Sequence, residues 1–104
     1  MANKRILKKS INSIVDELFM ECLFYCLYLP KEHSEQIEKV MTKIAVMQNE
    51  FINRANNVGG KDNSKIVKRY YSKLKEDFLN SIHEITEDMD NLCQIISENV
   101  NITN

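Results

Sequence analysis

A chain of 104 residues with a 43% hydrophobic share has material for one core and little left for an elaborate cleft, which counts against an enzyme. Two glycines and one proline are too few to punctuate a β-rich fold, so a single all-α domain (1–104) of few, long helices is predicted. A net charge of −1 gives no general pull towards nucleic acid or anionic lipid, leaving any such role to local clusters.

The first predicted helix runs over about 3–29 and is stopped by Pro30, which disfavours α geometry in the residue before it. Ile11, Ile14, Val15, Leu18, Phe19, Cys22, Tyr25, Cys26 and Leu29 recur at steps of three and four and make one broad apolar stripe. Met20, Leu23, Phe24 and Leu27 keep the same spacing outside that stripe, where a two-sided surface helix would carry Lys or Glu. The run from Leu18 to Leu29 is interrupted only by Glu21, yet a bilayer span needs roughly 20 apolar residues, so no membrane span is expected. This second set has two destinations: burial among the chain's own helices, or a face used by another subunit. Lys4, Arg5, Lys8 and Lys9 lie at the N-terminus, but Asp16 and Glu17 precede the run and no small-residue cleavage site follows it, so a signal peptide does not fit.

The opening NKRILKKSIN, followed by ELFMEC, resembles the start of small all-helical bacterial proteins of unknown function. The likeness covers the first quarter of the chain. It implies a helical fold and a bacterial cytoplasmic setting, and it assigns no residue a role.

A second helix is predicted over 34–57, with the Ser34 hydroxyl as cap and Glu35 and Glu38 near the positive end of its dipole. Ile37, Val40, Ile44, Met47, Phe51, Ala55 and Val58 alternate by three and four, as the seam of an antiparallel pair does. Asn56, Asn57, Gly59 and Gly60 then supply a turn. A third helix is predicted over 63–98, capped by Asp62 or Ser64, with Val67, Tyr71, Leu74, Phe78, Ile82, Ile85, Met89, Leu92, Ile96 and Val100 on one stripe. Ser81 and Glu84 match a capping box, so the alternative is a break at Asn80-Ser81 and a four-helix bundle.

Short connections make successive helices antiparallel neighbours, giving an up-down-up three-helix bundle. With helices 1 and 3 starting flush, Leu18 falls beside Phe78, Ile44 to Met47 reach the same level, and Leu29 falls near Met89. Leu18, Ile44, Met47, Phe78 and Ile82 are then the expected central core. Leu92, Cys93, Ile95 and Ile96 extend beyond helix 1, so one end has more apolar surface than three helices cover. The expected interface of a homodimer is Met20, Leu23, Phe24, Leu27, Leu92, Ile95 and Ile96.

The residues that could carry chemistry form no recognisable site. Cys22, Cys26 and Cys93 are an odd number in helical apolar patterns, which suits free thiols packed as small hydrophobes in a reducing, cytoplasmic compartment. Neither His33 nor His83 joins them at a metal-ligand spacing, and the acids around His83 (Glu84, Glu87, Asp88, Asp90) lack the Glu-x-x-His pairing of a di-iron bundle. No metal, cofactor or catalytic residue is therefore expected. Ten basic residues, Lys4, Arg5, Lys8, Lys9, Lys61, Lys65, Lys68, Arg69, Lys73 and Lys75, should gather at one end, with Glu32, Glu35, Glu38, Glu84, Glu87, Asp88, Asp90 and Glu98 at the other. The alternative function is thus binding of nucleic acid or an acidic partner at the basic end, with Tyr70 or Tyr71 available to stack.

Overall fold

A computed structural model describes residues 4–57 and 63–102. They form α1 (Lys4–Cys26), a 3₁₀ turn (Lys31–His33), α2 (Ser34–Asn56) and α3 (Ser64–Ile102), an all-α three-helix bundle. Val58, Gly59, Gly60, Lys61 and Asp62, which figure in the expectations above, lie outside the described residues. So does the side chain of Val100.

α1 stops three residues short of Leu29. The Leu27 and Tyr28 amides donate to the carbonyls of Phe24 and Tyr25, three residues back, at 3.1 and 3.0 Å. The Leu29 amide still reaches the Tyr25 carbonyl four residues back (2.9 Å), so the last turn only partly tightens into 3₁₀ geometry, and Pro30 after it is extended (φ −60°, ψ 152°). The next turn also replaces the expected Ser34 cap. His33 donates its amide to the Pro30 carbonyl (2.9 Å), Ser34 donates to Lys31, and Ser34 is already helical, so the 3₁₀ turn feeds directly into α2.

At the start of α3 the cap is Asn63, a residue between the two expected candidates. Its Oδ1 accepts from the amides of Lys65 and Ile66 at 3.1 and 3.3 Å, satisfying two donors that a helix N-terminus leaves open. α3 then runs without interruption through Asn80 and Ser81, and the four-helix alternative does not form. An unbroken apolar stripe outweighs one capping-box pattern, because a break there would remove ladder hydrogen bonds and misalign every later core residue.

The core is a single cluster: Ile11, Val15, Leu18 and Cys22 from α1; Ile37, Val40, Ile44, Met47, Phe51 and Ala55 from α2; Leu74, Phe78, Ile85, Met89 and Leu92 from α3. Of the five expected central residues, Leu18, Ile44, Met47 and Phe78 are buried, whereas Ile82 is only half-buried against the cluster. α2 is the shared element: α1 and α3 both pack chiefly on it and meet each other along a narrower seam.

The register differs from the flush-start expectation. The Gln48 amide donates to Asn12 Oδ1 (2.9 Å), Lys43 meets Asp88 (2.6 Å), Arg54 meets Asp77 (2.9 Å), and the Phe51 and Phe78 rings pack edge-on at 5.2 Å. Phe78 therefore lies level with the end of α2 and the beginning of α1, not with Leu18. α3 is displaced by roughly ten residues, about 15 Å at 1.5 Å per residue, so its first turns run past the other two helices. The bundle is correspondingly long, 62 × 18 × 16 Å, with a radius of gyration of 17.2 Å. Among the described residues no helix is long and apolar enough to cross a membrane.

Candidate interaction surface

The stripe Ile11, Val15, Leu18 and Cys22 turns one side of α1 inward, the 100° step per residue turns Met20, Leu23 and Phe24 outward, and Leu27 follows them in the turn after the helix. These four remain 69%, 53%, 57% and 77% exposed. Tyr28, which the sequence reading left out, joins them: it is exposed and stacks at a tilt on Phe24, ring centroids 5.1 Å apart. Its place one turn after Phe24 was the signal that could have found it. The other three expected interface residues divide differently. Leu92 is only 3% exposed and belongs to the core, because the slipped register carries it down beside Val40; Ile95 and Ile96 are half-buried. Of the seven expected interface residues, only the four at the end of α1 and in the turn after it are thus open, while Ile6, Val46, Ile66 and Leu79 are exposed elsewhere in the bundle.

The thiols near this surface also divide. Cys22 is buried, and burial, reinforced by the nearby Cys26 and the charge of Glu21, pushes its thiol up to about 11. Cys26 and Cys93 are exposed, which corrects the expectation that all three pack as core hydrophobes. Tyr25, half-buried on the flank, is pushed up to about 12 by burial and then by Glu21, Cys93 and Asp90. Burial thus keeps both the phenol and the Cys22 thiol protonated at neutral pH.

The charged residues fall into a looser pattern than one basic and one acidic end. α1 and α3 both start where α2 finishes, so Lys4, Arg5, Lys8 and Lys9 do share an end with Lys65, Lys68 and Arg69. The overhang of α3 spreads them along about 20 Å of the bundle axis instead of gathering them. The positive dipole ends of α1 and α3 lie among them and outnumber the one negative end, that of α2. Lys73 is engaged by Asp77 at 3.2 Å, Lys75 is exposed, and Lys61 lies outside the described residues. Tyr70 donates its hydroxyl to the Arg54 carbonyl (2.8 Å) and Tyr71 is buried, so neither ring is presented for stacking. Glu84, Glu87 and Asp88 lie in the middle of α3, not at an end, with Asp88 bridged to Lys43 and Glu87 3.2 Å from His83. Among the described residues no group of three or more His, Cys, Asp or Glu side chains is arranged to hold a metal ion.

No protein-family model, no curated protein and no solved structure matches this chain.

Proposed function

We propose that this protein is a small helical assembly module of the cytoplasm, one that self-associates through the open face of α1. The observation that carries the reading is the set Met20, Leu23, Phe24 and Leu27, each more than half exposed at the end of α1 and in the turn that follows it. Scattered exposed apolar residues are ordinary, but three on the last turns of α1, continued by Leu27 and Tyr28 in the turn that follows, form one apolar patch, and a clustered patch is what commonly serves as an interface. A patch confined to one helix end is small beside a standard interface, so a reversible dimer is expected, not an obligate one. Three unpaired thiols suit a reducing compartment. Binding of an anionic polymer at the basic end has weaker support, since the positive charges are spread out and the tyrosines are occupied.

Sedimentation equilibrium across micromolar to sub-millimolar concentrations tests this. The native chain should show a concentration-dependent dimer, and Leu27→Glu should sediment as a monomer while keeping its helical circular dichroism. A native chain that stays monomeric throughout, or a Leu27→Glu variant that dimerises equally well, overturns the proposal. So does a Leu27→Glu variant that unfolds as readily as Phe78→Glu, because Leu27 would then be core.

A further inference from the structure

We infer that the start of α3, together with the start of α1, is a surface for the phosphate backbone of duplex nucleic acid. This surface is distinct from the apolar patch at the other end of α1 and does not depend on self-association. A net charge of −1 conceals a strong separation. Residues 4–15 and 64–75, at the end where α1 and α3 begin, carry nine Lys or Arg and no Asp or Glu. Residues 16–49 and 78–98 carry eleven Asp or Glu against three Lys. Glu50, Glu76 and Asp77 lie on the border, and two of them, Glu50 and Asp77, are held by Arg54 and Lys73. On α3 the next acid beyond that border, Glu84, is nine residues from Lys75. That is about 14 Å along the axis, more than the Debye length of about 8 Å at physiological salt. The two parts of the molecule therefore act on a partner as separate charges, and the small net value does not describe either.

The arrangement of the cations selects the partner. Lys65, Lys68, Arg69, Lys73 and Lys75 are all exposed, and they are strung along about 15 Å of helix. A string of charges makes no pocket for a compact anion. With the Tyr70 hydroxyl bonded to Arg54 and Tyr71 buried, neither ring receives an unstacked base, so a single strand gains nothing by splaying its bases here. What remains is contact with a line of phosphates, and a duplex offers one charge per about 1.7 Å of its axis. The positive dipole ends of α1 and α3 add to the same field. A protein partner or a lipid surface would call for an apolar centre beside the charges. In these two segments the large exposed apolar side chains are Ile6 and Ile66, which stand singly on different helices.

Fluorescence anisotropy with a labelled DNA duplex of about 20 base pairs tests this, and binding should weaken roughly a hundredfold between about 50 and 200 mM salt, as about four phosphate contacts require. Lys68→Gln with Arg69→Gln, both at exposed positions, should weaken binding at low salt and flatten the salt response by about two contacts. Lys65→Gln with Lys75→Gln should do the same through other residues, whereas Lys31→Gln with Lys39→Gln, in the acidic part, should change nothing. Circular dichroism checks that each variant keeps its helices. No binding at low salt overturns the inference, and so does binding that the Lys31 and Lys39 pair weakens as much as the basic-end pairs. Polyglutamate that displaces the duplex at equal charge concentration also overturns it and assigns this end to an acidic protein. Salt-sensitive self-association in place of duplex binding would give the surface to the acidic part of a second copy.

Discussion

The Arg54 guanidinium lies 2.9 Å from the Asp77 carboxylate, and this contact joins the end of α2 to the part of α3 just inside its overhang. The same arginine stacks over the Phe51 ring at 5.1 Å and reaches Glu50 at 3.8 Å, while its backbone carbonyl accepts the Tyr70 hydroxyl. One residue thus ties together the last turn of α2, the core aromatic pair and the first turns of α3.

The Arg54 hydrogen bond first, and the Lys73 hydrogen bond second, hold the Asp77 carboxyl below its ordinary value of 3.8. A depressed folded value means that the native state binds fewer protons than the unfolded chain. The contribution is therefore fully present above 3.8 and is lost as pH falls through the lower folded value. Urea unfolding from neutral to acid pH should show Asp77→Asn less stable at neutrality, with a shallower decline below that point. Parallel curves for variant and native chain would show that the contact is energetically silent.

Phe78→Ala should cost about 3–5 kcal/mol in chemical denaturation, since the ring is buried and packs edge-on against the fully buried Phe51. A double-mutant cycle with Phe51→Leu should recover a coupling of about 0.5–1.5 kcal/mol for the aromatic pair. A loss under about 1 kcal/mol for Phe78→Ala would be incompatible with this packing.

Thiol titration with an aromatic disulfide should find two fast groups, Cys26 and Cys93, and one slow group. Cys22 should react only at the rate at which the bundle opens, because burial both shields it and keeps it protonated. Added urea should merge the phases. Three thiols of equal rate in the native chain would contradict the placement of Cys22.

Asn63→Ala should lower stability by about 0.5–2 kcal/mol through loss of the two side-chain bonds at the start of α3, and Asn63→Ser or Asn63→Asp should restore most of it. Amide exchange should localise the effect to the first turns of α3. An unchanged exchange rate at Lys65 and Ile66 would show that the cap contributes nothing.

The helices were legible because their apolar steps of three and four are long and regular, and because Pro30 ends α1 from outside. Register was not. A seam repeating every turn or two accepts slips of whole turns at little apolar cost, so level is fixed by sparse polar pairs across the seams, such as Asn12 with Gln48 and Lys43 with Asp88. Nothing in the sequence marks those residues as partners. The slip then decided the fate of Leu92, read as surplus surface and found as core, and of Glu84 and Glu87, read as an end cluster and found mid-helix. The outward set on α1 needed no register, only angular position around one helix, which is why Met20, Leu23, Phe24 and Leu27 stand where their spacing put them. Asn63 escaped notice because Asp62 and Ser64 flank it, and the choice among three capping residues depends on where the turn delivers the chain.

The overhang of α3 gives the molecule a shape that will colour every size measurement made on it. A compact chain of this length would have a radius of gyration of about 13 Å, whereas this one has 17.2 Å. A rod of that kind drags more water and diffuses more slowly than a sphere of equal mass, so on a sizing column a lone chain elutes early and imitates a pair. Rotation about the long axis is quick and end-over-end tumbling slow, and backbone amides aligned with α3 report mainly the slow motion. Elution volume and apparent tumbling time will both overstate the mass of a monomer, and only shape-independent mass, from sedimentation equilibrium or light scattering, counts the chains.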